Sequence, residues 1–134
     1  MREILFKGKR KDGGKWIEGY YQKRYDLLGN EEHLIFHADS YNVWEYAEVD
    51  PETLCQFTGL CDKNGKKIWE NDVIQYGTVA AVAKFGEYGN GGLGFYVDFP
   101  EETNYRKDFS YWAKKVVVIG NAFDDQELLQ EVPE

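Results

Sequence analysis

Short apolar runs separated by turn-forming residues repeat along the whole chain. Runs of this length, rich in aromatic and β-branched residues, predict β-strands, and turns at roughly 8–12-residue spacing are typical of an all-β sandwich or barrel. The predicted strands are residues 4–6, 16–21, 34–36, 43–49, 56–58, 68–69, 73–76, 78–85, 95–99 and 116–119. Residues 124–130, with acidic side chains in the first turn, predict one short C-terminal helix.

Three of these segments carry a more specific expectation. The segment 43–49 alternates strictly, so its odd-numbered and even-numbered side chains should lie on opposite faces of a sheet. One set is Val43, Glu45, Ala47 and Val49, and the other is Trp44, Tyr46 and Glu48. Gly19, inside a predicted strand, suggests a bulge or a close approach by another backbone. The β-branched run 116–119 predicts a central strand buried on both faces.

The densest turn signals lie between residues 49 and 76. Asp50-Pro51 favours a tight turn or one helical turn, because Asp can cap it and Pro pre-sets φ. Asn64-Gly65 favours a tight hairpin turn, since both residues tolerate positive φ. The apolar positions of this stretch are expected to form the core: Phe57, Leu60, Ile68, Trp69, Val73 and Ile74.

Composition narrows the class of protein. A chain of 134 residues suits one domain. A net charge of −8 argues against binding to a phosphate backbone. A basic turn still runs from Lys7 to Lys15, and Lys114-Lys115 forms a second basic pair; both are interpreted as solvated surface, although a functional basic turn stays open. The basic turn consists of Lys7, Lys9, Arg10, Lys11 and Lys15.

Features of the sequence also bear on location. The first apolar run, residues 4–6, is too short for a signal peptide, and no run approaches 18 apolar residues. Two cysteines cannot build a disulfide framework. We therefore expect reduced thiols, no membrane span and a cytoplasmic protein.

Four acidic residues of the central stretch invite a functional interpretation. Carboxylates can hold a metal or act as acids and bases, but each of these four lies at a predicted turn: Asp50, Asp62, Glu70 and Asp72. Because Asp commonly accepts hydrogen bonds from turn N–H groups, the structural interpretation is favoured.

Cysteine and histidine side chains are candidate zinc ligands. Cys55 and Cys61 with His33 and His37 would make four ligands, yet neither pair has zinc-finger spacing. Buried thiols are the favoured interpretation, and no metal or cofactor is expected.

Two further patterns suggest ligand binding. The run from Gly89 to Gly94 lacks the Gly-Lys-Ser/Thr of a phosphate loop and precedes a predicted strand, so the wider segment from Gly86 to Gly94 is predicted to be a flexible or sharply turned loop. Trp16, Trp44, Trp69 and Trp112 could form a base-stacking surface, but most are expected in the core. No catalytic residue is assigned.

The motifs of the central stretch resemble the YopX family of phage and prophage proteins. They are Val49-Asp50-Pro51-Glu52-Thr53, Gln56-Phe57-Thr58-Gly59-Leu60, Asp62-Lys63-Asn64-Gly65-Lys66 and Ile68-Trp69-Glu70-Asn71-Asp72-Val73-Ile74. The N-terminal Met1-Arg2-Glu3-Ile4 and the C-terminal Val118-Ile119-Gly120-Asn121 are also similar. The family usually has Gly where Asn71 stands, and Asn is the next-best residue at positive φ.

The resemblance implies a mainly β fold with an SH3-like small barrel or roll. We expect a single domain over residues 1–134, with an N-terminal hairpin at about 3–22, a barrel core at about 43–120 and the helix at about 124–130. The resemblance implies a bacterial, phage or prophage setting and no known activity. The expected function is a non-enzymatic accessory module that binds a host or phage protein, or itself. The alternative is a nucleic-acid-associated protein or an acidic DNA mimic acting on a host DNA-binding protein, with direct nucleic-acid binding less favoured.

Overall fold

The computed structural model describes residues 3–89 and 91–129 and is built mainly from antiparallel β-strands. The strands are β1 (Phe6–Lys9), β2 (Trp16–Tyr25), β3 (Glu31–Ala38), β4 (Trp44–Glu48), β5 (Cys55–Cys61), β6 (Lys67–Trp69), β7 (Asp72–Tyr76), β8 (Val79–Tyr88), β9 (Gly92–Val97) and β10 (Val117–Asn121). A one-turn helix, α1, spans Phe109–Trp112. Short 3-10 turns span Pro51–Thr53, Glu101–Thr103 and Gln126–Leu129.

The strands form two open sheets, with orders β4-β3-β2-β1-β5-β6 and β10-β7-β8-β9. The mainly β fold is therefore confirmed, and the two sheets do not form a closed barrel, because each strand order has two ends. The chain divides into two compact units between Phe57 and Thr58, inside β5. No helix among the described residues has the length and apolar character needed to cross a membrane.

The first unit is a sheet with a small aliphatic core on one face. Ile17, Ile35, Ala47 and Val49 form its core, one from each of the strands β2, β3 and β4 and one just beyond β4. Gly19 lies where a Cβ atom would collide with the carbonyl oxygen of Phe36. The close backbone approach predicted for this glycine is confirmed.

The second unit has the larger core. Its buried residues come from strands β6 to β10 and from α1, and Trp112 of α1 lies among them. The core cluster is Ile68, Ile74, Ala81, Ala83, Val97, Phe99, Phe109, Trp112, Ala113, Val116 and Val118. All six residues expected to be core between 49 and 76 are buried or, for Leu60, partly buried.

Two expectations about the strands need correction. The strand predicted at 116–119 is β10, which lies at an edge of its sheet, with Ile119 36% exposed. The segment from Gly86 to Gly94 is mostly strand, because β8 and β9 pair as far as Tyr88 and Gly92. These glycines extend the hairpin instead of breaking it.

The ends of the helical elements also differ from the expectation. The C-terminal helix is the 3-10 turn Gln126–Leu129, while Gln130 lies outside the described residues. Helix α1 was not predicted, since four residues give no helical period to detect. The N-terminal hairpin is present as β1 and β2, and β2 continues to Tyr25.

Candidate functional site

The acidic residues of the central stretch are used to hold turns. Asp50 accepts a hydrogen bond from the Glu52 N–H (3.0 Å) and caps the 3-10 turn Pro51–Thr53. The Asp72 carboxylate is buried and accepts from the Trp69 N–H (2.8 Å). Glu70 is half-buried in the turn before β7. In the same turn Asn71 has φ 71°, as its replacement of glycine predicts.

Asp62 is the most thoroughly bonded of these carboxylates. Its Oδ1 accepts from the N–H groups of Asn64 (2.8 Å) and Lys66 (2.9 Å), and its Oδ2 accepts from that of Val118 (3.0 Å). Burial tends to raise the pKa of Asp62, but the three N–H donors outweigh it and hold the pKa below the ordinary value. The carboxylate therefore links a hairpin turn to β10, which is a structural role.

The cysteines and histidines do not converge on one site. Cys55 is buried, and its thiol donates to the Thr53 carbonyl (3.2 Å). His33 Nδ1 lies 2.6 Å from the Tyr21 hydroxyl, and its Nε2 lies 3.2 Å from Glu31. Within the described part of the chain, no group of three His, Cys, Asp or Glu side chains has the geometry to hold a metal ion.

The basic turn packs against an indole and an acid. The Lys7 and Lys9 ammonium groups lie 4.7 and 5.5 Å from the centre of the Trp16 ring. Lys11 forms an ion pair with Glu48 at 2.9 Å. The three lysines are therefore engaged by side chains of their own sheet.

The four tryptophans divide by exposure. Trp69 and Trp112 are buried, as the core interpretation expects, and Trp16 is half-buried. Trp44 is different, because 53% of it is exposed although it is paired with Ala38 in the β3–β4 ladder. The expectation that most tryptophans lie in the core therefore missed the exposed surface around Trp44.

Trp44 belongs to an aromatic face on the outer side of the first sheet. The strand register places Tyr20 opposite Phe36 and Phe36 opposite Tyr46, so these three side chains share one face with Trp44. Tyr20 and Trp44 have ring centres 6.0 Å apart, and those of Phe36 and Tyr46 are 5.3 Å apart. We call these four residues the aromatic face; Tyr20 is 49% and Tyr46 55% exposed.

The strands explain why this face is open. The opposite side of β2, β3 and β4 buries Ile17, Ile35 and Ala47. On the aromatic side Leu34 is buried, whereas Tyr20, Trp44 and Tyr46 are exposed. Ala38, opposite Trp44 in β3, presents only a methyl group, which leaves room for the indole to reach Tyr20.

Charged side chains border the aromatic face. The Arg24 guanidinium lies 5.2 Å from the Tyr46 ring centre and 3.5 Å from Glu32. Its hydrogen bond to Tyr46, more than the proximity of Glu32, raises the pKa of Arg24. Glu48 lies on the aromatic side of β4 and Glu45 on the opposite side, so each side of this strand carries one acidic residue.

The second unit carries a groove of about 550 Å³ beside β7 and β8. Val79, Ile119, Leu128 and Leu129 are among its walls. Glu102 is the only ionisable side chain among the described residues that line it. The groove therefore offers packing surface, but no pair of groups for acid–base or nucleophilic chemistry.

The sequence alone does not locate the aromatic face. In the segment 43–49 each of the two sets contains one glutamate, Glu48 in the aromatic set and Glu45 in the other, so charge does not show which set faces water. Tyr20 and Phe36 could not be added to the aromatic set from sequence, because their membership depends on strand register.

Comparison with known proteins identifies one family. Residues 5–130 match the family model described as YopX protein, which covers nearly the whole chain. A search of curated proteins finds no significant match.

Proposed function

The chain belongs to the YopX family, and we propose that it acts as a non-enzymatic accessory protein that binds another protein through the aromatic face. The proposed setting is a phage or prophage in a bacterial cell, with the protein in the cytoplasm. The partner is a host or phage protein. A second copy of this chain is the alternative partner.

Exposure of the aromatic face is the observation that carries this proposal. Large rings dominate the energetics of protein interfaces, and contiguous exposed apolar patches commonly mark interaction sites. Trp44, Tyr20 and Tyr46 are each about half exposed, although they are held side by side by strand pairing. These side chains are already packed against one another, so little of their conformational entropy is lost when a partner covers them.

The proposed function is non-enzymatic because the aspartates that were candidates for acid–base chemistry have structural roles. Asp50, Asp62 and Asp72 accept backbone hydrogen bonds, and these bonds account for their positions. A carboxylate committed to holding a turn is poorly placed to transfer a proton to a substrate.

Photo-crosslinking from the aromatic face tests the proposal. Trp44 is replaced by the photoreactive residue p-benzoyl-phenylalanine, and cells that express the variant are irradiated. Phe85 is the matched control, because it is a strand aromatic of the second unit with 52% exposure, close to the 53% of Trp44. We expect one discrete protein adduct from position 44 and none from position 85.

The possible results separate the candidate functions. An adduct whose mass is that of two chains would identify self-association. Adducts that are equal from positions 44 and 85, or no adduct at all, would contradict the proposal. If the protein instead retards single-stranded DNA at low salt and Trp44→Ala abolishes the shift, the nucleic-acid alternative gains support, since exposed rings also stack on bases.

We also propose that the second unit is the SH3-like element that the family resemblance implies, in an opened form. Its support is the meander β7-β8-β9, followed by the turn α1 and by β10 returning antiparallel to β7. An experimental structure in which β10 pairs with a different strand would contradict this assignment.

A further inference from the structure

We propose that the partner adds an extended, basic segment to the outer edge of β4 as an antiparallel strand, with apolar side chains beside Trp44 and Tyr46 and cationic side chains beside Glu45. This inference rests on the proposed function and specifies the chemistry of the partner. Addition of a strand to a sheet edge is a recurrent mode of peptide recognition, in which the backbone gives affinity and alternate side chains give specificity.

The hydrogen bonds of β4 show which of its backbone groups point outward. At one end of the ladder the Val49 N–H donates to the His33 carbonyl (2.9 Å), and at the other the Asp39 N–H donates to the Val43 carbonyl (3.0 Å). Antiparallel pairing alternates between bonded and non-bonded pairs. The odd-numbered residues therefore bond to β3, and the even-numbered residues direct their N–H and C=O groups away from it.

The open edge is short and has defined limits. β4 is the terminal strand of its sheet among the described residues. The Glu48 carbonyl, which points outward, already accepts from the Lys11 N–H (3.0 Å). Asn42 has φ 62° and leaves the extended conformation. The open edge therefore consists of Trp44 and Tyr46, whose two backbone N–H and two C=O groups can pair with an added strand.

Charge complementarity selects a basic occupant. The Glu45 side chain is 68% exposed on the opposite side from the aromatic face, and the His37 Nε2 lies 3.8 Å from its carboxylate. On the aromatic side, Arg24 lies over Tyr46 beside Glu32. Every second side chain of an added strand would lie on the Glu45 side of the sheet. An Arg or Lys next to Glu45 would make a favourable contact there. The net charge of −8 also attracts a basic segment.

A second copy of the chain fits this edge poorly. If Trp44 pairs with Tyr46 of another copy, the two-fold axis sets Glu45 directly opposite Glu45, and like charges in that position are destabilising. If Tyr46 pairs with Tyr46, Trp44 faces Glu48, whose carbonyl is occupied by Lys11. If Trp44 pairs with Trp44, the strand runs into the turn at Asn42.

Capped eight-residue peptides with alternating Arg and Val test the inference on the full-length protein. The readout is amide hydrogen exchange followed by NMR, residue by residue. We expect the Arg-Val peptide to slow exchange at Trp44 and Tyr46, and a Glu-Val peptide to leave it unchanged. N-methylation of the Val amides should abolish the slowing, because in the proposed register these amides face β4. N-methylation of the Arg amides should preserve it.

Charge-reversal variants provide a matched control. Glu45→Lys should weaken the Arg-Val peptide about three- to tenfold, as expected for turning one exposed ion pair into a repulsion. Glu87→Lys makes the same change of net charge on an exposed strand residue of the second unit, and should have no effect.

Several results would overturn strand addition. One is that the two N-methylated peptides bind equally well. Another is that the Glu-Val peptide binds as well as the Arg-Val peptide. The third is that the Arg-Val peptide does not slow exchange at Trp44 and Tyr46. Competition by oligothymidine for the same amides would assign the edge to nucleic acid instead. A discrete crosslink from position 44 together with unprotected amides would retain the protein-binding function and reject strand addition alone.

Discussion

Trp112 and Trp44 show how the two units use the same kind of residue differently. The Trp112 ring lies within 4.8–5.3 Å of the ring centres of Tyr76, Phe99, Tyr105 and Tyr111, and its indole N–H donates to the Arg106 carbonyl at 2.7 Å. Trp44 has a ring neighbour at 6.0 Å, in Tyr20. Trp112 is 5% exposed, and Trp44 is 53% exposed.

The difference shows which side chains the fold requires. In the second unit the Trp112 ring and the carboxylates of Asp62 and Asp72 are enclosed, and their polar atoms find internal partners. In the first unit, the core side of the sheet needs only a few aliphatic residues, and the rings on the other side remain available to a partner. Substitutions that compare the two regions should therefore separate stability from binding.

Truncation of Trp112 should have the largest effect on stability. Trp112→Ala removes a buried indole from a ring cluster and leaves the Arg106 carbonyl without its donor, so we expect the free energy of unfolding to fall by about 3–5 kcal/mol. Urea unfolding followed by circular dichroism measures the change. A loss below about 1 kcal/mol would mean that the cluster is not packed as described.

Replacement of Asp62 should have the next largest effect. Asp62→Asn leaves at least one buried N–H without a good acceptor, and we expect a loss of about 1–3 kcal/mol. Asp50→Asn is the control, because Asn caps a helical turn about as well as Asp does. Equal losses in the two variants would contradict the special role of Asp62.

The pH dependence of the same variant provides a second test. The pKa of Asp62 is lowered in the folded state, so its contribution is complete above the ordinary value of 3.8 and is lost as the pH falls through the lowered pKa. Unfolding curves below pH 4 should therefore be flatter for Asp62→Asn than for the wild type. An identical slope would show that another group controls acid unfolding.

Substitution of Gly65 should lower the free energy of unfolding by a smaller amount. Gly65 has φ 82°, and an added Cβ atom would meet nothing within 4 Å, so the cost of a side chain there is backbone strain alone. Gly65→Val should lower stability by about 1–2 kcal/mol. Gly65→Asn should lower it less, because Asn tolerates this region. An unchanged melting temperature for the valine variant would contradict the turn assignment.

Local features of the fold were predictable from sequence because they depend on neighbouring residues. The turn at Asp50, the hairpin at Gly65 and the positive φ at Asn71 all follow from local backbone chemistry. The strands of the first unit followed from alternation and β-branching. Even the partition of residues 43–49 into two faces was predictable.

Long-range features were not predictable in the same way. Residues 116–119 were expected to be central because β-branched runs usually are, yet β10 has a strand on one side only. Likewise, the segment containing Trp44 shows two faces, but only register with Phe36 and Tyr20 assembles the exposed one. Strand order and register are set by contacts between distant residues, which a single sequence does not display.

Trp44→Ala should have the smallest effect on stability and the clearest effect on binding. Because the indole is half exposed, its loss should change the free energy of unfolding by no more than about 0.5 kcal/mol, measured as for Trp112→Ala. In the photo-crosslinking assay, with the probe at Tyr20, the same substitution should reduce the partner adduct several-fold, since exposed tryptophans that become buried are typical binding hot spots. A large loss of stability would place Trp44 among the residues that the fold requires. Unchanged stability with an unchanged adduct would remove the aromatic face from the binding surface.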